Sequence, residues 1–563
     1  MSLGSRMNRM RAGYASDERG SFTIFSLFLF IMLLMIAGMA VDMVRLEQQR
    51  TGIQNTIDSA VLAASSLTQN LDSEALIRDH LTMAGYDPDD FAITVAEDLI
   101  AGNEATSRRI TVTSLARSDT IFMDLVGVSS LNAPVGTMAS ESASNIEISL
   151  VLDISSSMGS NSRIQNLKVA AKDFVDTVID DNSGRVSISI VPYFGGVVVG
   201  DEILSRLNAD GRTENIPNPP SYPGALSSYP SEHSDSTCVR FDEADYNDRS
   251  ISPQDSLRRT SNFYYGSFGF NTPGVGDRWC KEDRPSILAH ETSAQLLKDY
   301  IEALNLGVYT GGHIGMKWGV ALLDPAFRPV VTDMVDSGLL AESVRGRPGN
   351  YGGVETMKII VLMTDGDMTR ERDLKDEFKN GPSRVWYVDS RTSGFDSALN
   401  RSLTAFDGYF VLMPNNGTTQ RWYVPGSPHT TSDDQFLPEA AIPLDAVQLD
   451  YHELHRRFAE NDIADFFFEH SGDSTAYSEH RSAGYSVAEY SEIDNRLWAM
   501  CSAASANGDI TVYTIGFEAP TGGVEAMRQC ASTESHFFDV DGTDISSAFA
   551  AIATQINVLR LEM

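Results

Sequence analysis

One short segment of this chain places together oxygen side chains of the kind that bind hard metal ions. It reads Asp153-Ile-Ser-Ser-Ser157 and follows residues 146–152, an Ile-, Val- and Leu-rich run that predicts a buried strand. The carboxylate of Asp153 and the hydroxyls of Ser155 and Ser157 would then meet at the carboxyl end of that strand. Such donors suit Mg²⁺, Mn²⁺ or Ca²⁺ rather than zinc or copper. Taken alone, the segment also fits a surface turn whose hydroxyls cap a helix.

A second strand-to-loop junction supplies the rest of such a site. The apolar run Lys358–Met363 opens directly into Thr364-Asp365-Gly366. Ligands of open parallel α/β sheets bind outside the carboxyl ends of the strands, so Asp365 is expected at the same edge as Asp153. Thr310 lies between them in sequence, in a glycine-rich segment. Two carboxylates and three hydroxyls in this order favour a metal site over a surface turn.

These motifs resemble the metal-ion-dependent adhesion site of the von Willebrand factor A domain family. The resemblance implies an α/β fold, a Rossmann-like doubly wound sheet of the A type. It also implies that Ser155, Ser157 and Thr310 ligate the ion directly, while Asp153 and Asp365 act mostly through waters. Few charged ligands would leave the ion electrophilic, with one position open for a carboxylate of a partner protein. The expected cofactor is Mg²⁺, or Mn²⁺ or Ca²⁺ in its place.

The N-terminal region contains a membrane-span candidate. Residues 22–41 carry no charge and are long enough to cross a bilayer as one helix. A buried core helix is the alternative, but such a helix would need a polar face. Four arginines precede the run, so the positive-inside rule places the short tail in the cytoplasm. We therefore expect a single-pass protein of the bacterial inner membrane, with the bulk of the chain in the periplasm.

Helical periodicity continues beyond the span, and one helix from Phe22 to about Ser66 is predicted. Its outer half is amphipathic and Ala-rich, suited to a partner helix or to this chain's own domain. This end, with Arg-Gly-Ser-Phe22, Ala-Val-Asp42 and a later Asp-Ser-Ala-x-Leu-Ala-Ala64, resembles TadE/TadG-like proteins of tight-adherence (Flp) pilus systems. C-terminal pieces share the resemblance: Trp318-Gly319, Leu497–Cys501, Ile510–Gly516, Cys530 and Leu559-Arg-Leu. Phe25 stands where a prepilin has Glu after its cleavage glycine, here Gly20, so no such cleavage is expected.

The predicted organisation has four parts. They are a cytoplasmic tail (1–21), an anchor helix (22–68), a small α+β stem (69–142) and an A-type domain (143–563) with insertions at about 200–286 and 370–492. The insertions leave from loops near the metal edge, so we expect them to form a lid or shoulder there. Helix is predicted over Ile287–Leu304, directly before the Thr310 segment.

Charge and cysteine content limit the class of protein. With 77 acidic and 43 basic residues the formal net charge is −34, which argues against nucleic acid or an anionic lipid surface as a partner and agrees with simple solubility. Four cysteines in an exported chain indicate disulfides. Cys501–Cys530 would tie the flanks of the strand at 510–517, which the TadG resemblance supports, and Cys238–Cys280 would close the first insertion.

The sequence points to binding rather than catalysis. Phosphate-loop, nucleophile-elbow and dinucleotide motifs are absent from it, and Tyr451-His-Glu-Leu-His lacks metalloprotease spacing. We therefore expect no enzyme and no small-molecule substrate. The expected role is pilus assembly or secretion, in which the A-type domain docks protein partners of the apparatus through the ion. Two alternatives remain: a metal-dependent surface adhesin, and a structural envelope protein whose ion only stabilises the fold.

Overall fold

The chain divides into two compact units, Met1–Ala143 and Ser144–Met563. The computed structural model describes residues 19–66, 69, 71–99, 105–142, 145–179, 184–208, 213–215, 228–230, 236–264, 266, 278–280, 284–352, 356–388, 395–396, 401–402, 408–413, 421–425, 435–438 and 445–562. Most of the predicted cytoplasmic tail and large parts of both predicted insertions lie outside these residues.

The first unit combines two helices with an antiparallel sheet in the order β1-β2-β3. Its elements are α1 (Arg19–Ser65), α2 (Ser73–Met83), β1 (Ala92–Leu99), β2 (Ala105–Asp119) and β3 (Ser130–Ser142). Ile57 and Val61 of α1 are buried in one core with Ile77 of α2 and with Ile110 and Val112 of β2. The amphipathic half of α1 is therefore docked on this chain's own strands.

The N-terminal half of α1 has a different surface. Large apolar side chains cover it and are exposed, Phe22 by 72% and Leu33 by 57%. This helix is long and apolar enough to cross a membrane. It agrees with the predicted single helix through residues 22–66.

The second unit contains the candidate site. Its strands are β4 (Asn145–Asp153), β5 (Val186–Tyr193), β6 (Thr213–Asn215), β7 (Ser228–Pro230), β8 (Val239–Arg240), β9 (Arg258–Arg259), β10 (Leu288–Glu291), β11 (Thr356–Thr364), β12 (Arg370–Leu374), β13 (Pro382–Tyr387), β14 (Phe395–Asp396), β15 (Arg401–Ser402), β16 (Tyr409–Leu412), β17 (Arg421–Val424), β18 (Gln435–Pro438), β19 (Val447–Asp450), β20 (Gly484–Glu489), β21 (Thr511–Phe517) and β22 (Phe537–Val540). Its helices are α3 (Arg163–Val178), α4 (Asp201–Leu204), α5 (Ala294–Ala303), α6 (Gly312–Ala321), α7 (Arg328–Asp336), α8 (Tyr451–Arg457), α9 (Glu460–Phe467), α10 (Ser474–Arg481), α11 (Ser491–Ser505), α12 (Thr521–Cys530) and α13 (Ile545–Glu562).

A six-stranded sheet forms the centre of this unit, in the order β10-β5-β4-β11-β21-β22. All neighbouring pairs are parallel except β10 with β5. From β4 the chain adds β5 and β10 on one side of the sheet, and from β11 it adds β21 and β22 on the other side. The direction of winding therefore reverses between β4 and β11. The mixed α/β class predicted from sequence is confirmed.

Helices cover both faces of this sheet. One face packs against apolar side chains of α3, α5 and α13, and the other against those of α6, α7, α11 and α12. Helix α6 approaches β4 closely: a Cβ at Gly319 would lie 2.5 Å from Cγ2 of Val151, so only glycine fits there. With helices on both faces, the central strands are almost fully buried, as their continuous apolar runs predict.

The two insertions share a core of their own. Phe263 and Trp279 of the first insertion are buried with Leu374, Phe467 and other residues of the second. Five short strands of the second insertion form a sheet in the order β18-β17-β16-β13-β19. The described parts of the two insertions therefore pack together into one structural unit.

The helix predicted over Ile287–Leu304 is wrong in its first half. Residues 288–291 form β10, which pairs antiparallel with β5, and the helix begins only at Ala294. Ser293 caps that helix by accepting a hydrogen bond from the N–H of Leu296. The edge of the sheet offers backbone partners to this segment, and that tertiary pairing overrides its helical pattern.

Both predicted disulfides are present. Cys238 and Cys280 are bonded with their Cα atoms 6.0 Å apart, and Cys501 and Cys530 with theirs 5.2 Å apart. The second bond joins α11 to α12, and the first joins the middle of the first insertion to its C-terminal part.

The edge strand β10 predicts a stability that depends on pH. Burial lowers the pKa of His290 to about 4, where its ring contacts the carbonyl of Leu322 and the hydroxyl of Ser187. The unfolded residue has a pKa of about 6.5, so the unfolded state binds more protons between these values. The contribution of His290 to stability is therefore full above about pH 6.5 and falls as the pH drops toward 4, by up to about 1.4 kcal/mol per pH unit. Urea unfolding at several pH values in this range gives the slope of the free energy of unfolding against pH. As the pH falls, the free energy of unfolding of the wild type should decrease more steeply than that of His290→Asn.

The half-buried His470 offers the matched control for this prediction. His470→Asn should leave the slope closer to that of the wild type. An unchanged slope in the His290→Asn variant would contradict the assignment of the proton uptake to His290.

Candidate metal centre

The register of two neighbouring strands brings the predicted residues together. Strands β4 and β11 are parallel, and Leu152 pairs with Met363 at their last shared position. Asp153 and Asp365 follow these residues at the carboxyl edge of the sheet. Both carboxylates are buried, with exposures of 0% and 2%.

Hydrogen bonds link four of the five predicted residues into one cluster. The hydroxyls of Ser155 and Ser157 are 2.8 Å apart, and the Ser157 hydroxyl donates to Oδ1 of Asp365 at 2.6 Å. Asp153 accepts at Oδ1 from the N–H of Ser155 at 2.8 Å. Its Oδ2 accepts from the hydroxyl of Thr364 at 2.7 Å, so the loops after β4 and β11 are joined.

Thr310 reaches the same place from a third segment, directly before α6. Its N–H donates to the hydroxyl of Thr369 at 2.9 Å, and the N–H of Thr369 donates back to its carbonyl at 3.0 Å. A Cβ built on Gly366 would lie 3.7 Å from Oγ of Ser157 and 3.8 Å from Oγ1 of Thr310, so both hydroxyls flank this glycine. The three segments line one open cleft of about 480 Å³ that also contacts Asp367.

The electrostatics of the cluster favour an additional cation. Burial and the neighbouring charge of Asp365 raise the pKa of Asp153 to about 7. Arg163 contributes a positive charge, since its Nη1 lies 2.8 Å from Oδ2 of Asp365 and its Nε lies 2.8 Å from Oε2 of Glu518. This guanidinium contacts two of the three carboxylates of Asp153, Asp365 and Glu518, so the site carries an excess of negative charge when all three are ionised.

The oxygen spacing fits a small octahedral ion. With ligand distances of 2.0–2.1 Å, adjacent oxygens around Mg²⁺ lie about 2.9 Å apart. The hydroxyl oxygens of Ser155 and Ser157 are 2.8 Å apart, a separation that suits adjacent ligands of such an ion as well as the hydrogen bond between them. Within the described residues, no three His, Cys, Asp or Glu side chains form a group that could hold a metal. A site built from hydroxyls and two carboxylates suits a hard ion, in line with the donor types that the sequence predicts.

The insertion core lies beside the cleft. Val308 and Tyr309, the two residues before Thr310, pack against it, and the Tyr309 ring centroid is 5.6 Å from that of Trp279. Arg370, at the start of the second insertion, lies over the Tyr309 ring at 5.6 Å. The described parts of both insertions thus form a shoulder along one side of the candidate site.

Three residues of the cluster were not predicted from the sequence. Arg163 and Glu518 are 355 positions apart and meet only because the N-terminus of α3 lies next to the loop after β21. Thr364 stands inside the Thr-Asp-Gly motif, and its hydroxyl, rather than its backbone, contacts Asp153. The position of Thr364 directly before Asp365 was the available signal, whereas nothing in the sequence around Arg163 indicates its partners.

The Arg163–Asp365 pair generates a stability prediction. The Asp365 side chain is 0% exposed, so Arg163→Ala leaves a buried carboxylate without its cation. In chelator-containing buffer we expect the free energy of unfolding to fall by about 3–5 kcal/mol. Lys172→Ala on the same helix is the control, because its partner Glu302 is 65% exposed and such pairs contribute about 1 kcal/mol or less. Equal losses in the two variants, measured by urea unfolding, would contradict the structural importance of the Arg163 pair.

Comparisons with known proteins concern different parts of the chain. A family model described as putative Flp pilus-assembly TadE/G-like matches residues 20–66, which correspond to α1. No curated protein matches the chain.

Three solved structures illustrate its structural likenesses. The von Willebrand factor domain of the type V pilus tip protein Mfa5 from Porphyromonas gingivalis is 14% identical, with 74% of this chain and 97% of that chain covered and a TM-score of 0.29. The pilus adhesin SpaC from Lactobacillus rhamnosus GG is 10% identical, with 83% and 34% covered and a TM-score of 0.26. The adhesive tip pilin GBS104 from Streptococcus agalactiae is 10% identical, with 73% and 100% covered and a TM-score of 0.28. Likenesses at these TM-scores carry no weight for fold or function, and the family match concerns the N-terminal helix alone.

Proposed function

We propose that this chain is a membrane-anchored component of a tight-adherence pilus assembly or secretion apparatus. Its large unit binds a divalent cation and, through that ion, docks a carboxylate of a partner protein. The observation that carries the docking role is the convergence of the Ser155 and Ser157 hydroxyls with the buried carboxylates of Asp153 and Asp365 beside an open cleft. The TadE/G-like match of residues 20–66 supports the pilus context.

The strand order supports assignment of the large unit to the von Willebrand A type. Winding reverses between β4 and β11, as in a doubly wound sheet, and ligands of such sheets bind at the carboxyl ends of the strands at that reversal. The candidate residues Asp153 and Asp365 come from these two strands.

The ligand set explains why the ion would bind a partner instead of catalysing a reaction. Ser155, Ser157 and Thr310 would supply neutral oxygens to the ion, and Asp153 and Asp365 would hold it through waters. An ion with mainly neutral ligands keeps strong affinity for an anionic sixth ligand. A Glu or Asp of another protein supplies that charge. Mg²⁺ is the proposed ion, with Mn²⁺ or Ca²⁺ as substitutes.

The exposed apolar half of α1 supports a single-pass anchor. With the arginine-rich tail on the cytoplasmic side, the large unit lies in the periplasm, where both disulfides persist. An anchored unit favours a partner within the cell envelope over a distant surface. If the protein were an adhesin, the large unit would have to be released or exported to the cell surface. If the protein were purely structural, the ion would stabilise the fold without binding a partner.

Metal binding should appear as added stability. Magnesium at about 100 times its Kd should raise the free energy of unfolding of the wild type by about 2.7 kcal/mol. Ser155→Ala combined with Ser157→Ala removes two ligands and should abolish the rise. Ser160→Ala, an exposed serine of the same loop, should retain it. A rise of equal size in the double variant, or no rise with Mg²⁺, Mn²⁺ or Ca²⁺ in the wild type, would refute the site.

A cellular experiment separates assembly from the two alternatives. A deletion strain is complemented with the wild type, with Asp153→Ala plus Ser155→Ala, or with Ser160→Ala, at equal membrane levels of each protein. Loss of secreted pilin in the double variant alone supports ion-dependent assembly. Normal pilin with defective attachment would instead favour the adhesin, and normal pilin and attachment with lowered stability would favour a purely structural ion.

A further inference from the structure

The loop between β2 and β3, residues 120–129, contacts α1 inside its apolar segment. We call these ten residues the hairpin tip. Phe122 lies so close to α1 that a Cβ on Gly38 would be 2.3 Å from its ring. Gly38 is buried in an otherwise exposed stretch of the helix, so the tip covers this position. Glycine is required here by the close approach of the aromatic ring.

Asp42, one helical turn further on, anchors the tip. Its buried carboxylate accepts hydrogen bonds from the N–H groups of Ile121, Phe122 and Met123 at 3.0, 2.8 and 2.8 Å. Turn hydrogen bonds pair four more N–H groups of the tip, those of residues 120, 125, 127 and 128. A loop whose backbone donors are largely paired internally is suited to a position where water is scarce.

The helix gives the depth of the tip. Residues 22–41 rise about 30 Å at 1.5 Å per residue, which matches the hydrocarbon thickness of a bilayer. Gly38 is three residues before the end of this segment, so the Phe122 contact lies about 4–5 Å inside the apolar boundary. That depth is at the shallow limit of the roughly 5–10 Å to which apolar groups are buried at the interface between headgroups and acyl chains.

The tip presents apolar side chains that its own unit leaves uncovered. Ile121 is 58% exposed, Leu125 74% and Val126 51%. Burial of such side chains contributes about 25 cal/mol per Å² of apolar area. Asp124 is the acidic residue of this tip and is also exposed, so its charge would remain among the headgroups.

We propose that the hairpin tip is a second membrane contact, in which Ile121, Leu125 and Val126 insert into the leaflet on the side of Asp42. The occupant of this apolar surface is lipid, because the surface is continuous with the apolar segment of α1 through the Gly38–Phe122 contact. The inference rests on the proposed membrane span of α1. Two contacts on one leaflet fix the rotation and tilt of α1, which a single helix leaves free.

Nitroxide labelling of the full chain in phosphatidylcholine nanodiscs tests this proposal. All four native cysteines are in disulfides, so Leu125→Cys and, separately, Val126→Cys each provide a single labelling site. Collision rates are measured with oxygen, which concentrates in lipid, and with a polar nickel chelate. Labels at both positions should collide several-fold more with oxygen and several-fold less with nickel than a label at an aqueous control position.

Met83→Cys is the matched aqueous control. Met83 is 79% exposed in the same unit. The nearby Tyr86 hydroxyl lies 3.3 Å from the Cβ position of Gly52, about 15 Å along α1 beyond Asp42. Ile31→Cys reports on the span itself.

The outcomes separate the two proposals. Lipid accessibility at Ile31 with full nickel accessibility at Leu125 and Val126 would overturn the tip contact and leave the anchor intact. Nickel accessibility at Ile31 would overturn the span and the tip contact together. Labels at the tip that are shielded from both reagents would indicate a protein contact and would also overturn the lipid assignment.

Discussion

The large unit depends on how two buried carboxylates, those of Asp153 and Asp365, are tolerated at one edge of its sheet. The parallel register of β4 and β11 fixes them at neighbouring strand ends, where neither can move away from the other. A buried charge is tolerated only with donors or countercharge close by. The loops after β4 and β11 and the N-terminus of α3 supply these groups, namely a backbone N–H, two hydroxyls and one guanidinium. Asp153 nevertheless keeps a raised pKa, so the protein groups alone do not neutralise the pair.

The positions of these carboxylates could be predicted because they follow from local patterns. Continuous apolar runs before Asp153 and Asp365 indicate buried parallel strands, and parallel strands end at one edge. Helix α3 could be predicted for the same reason, from apolar residues that recur at helical spacing. The ion pair of Arg163, in contrast, could not be predicted from local patterns. Its pairing with Asp365 spans 202 residues and depends on the orientation in which α3 leaves the loop, which no local pattern encodes.

The insertions show a second limit. Most of their strands are two to four residues long, too short for an alternating pattern to be recognised. Their core joins Phe263 and Trp279 to residues more than 90 positions later, so neither insertion contains a complete apolar pattern by itself. Strand β10 was misread for a related reason. Its four residues carry no strand pattern of their own, and the edge of a sheet assembled from distant segments determines their conformation.

The small unit shows how the same electrostatic requirement is met without an ion. Asp42 is also a buried carboxylate, but three backbone N–H groups of the hairpin tip donate to it. Asp153 receives one N–H and one hydroxyl and has a second carboxylate beside it. The three N–H groups stabilise the charge of the Asp42 carboxylate, and this carboxylate holds the hairpin tip in place. The Asp153–Asp365 pair has fewer donors for each carboxylate and lies beside hydroxyl groups and an open cleft, so its negative charge is less fully compensated. The difference in donor supply is therefore the physical reason why Asp42 has a structural role and why we propose a cation-dependent role for the Asp153–Asp365 pair.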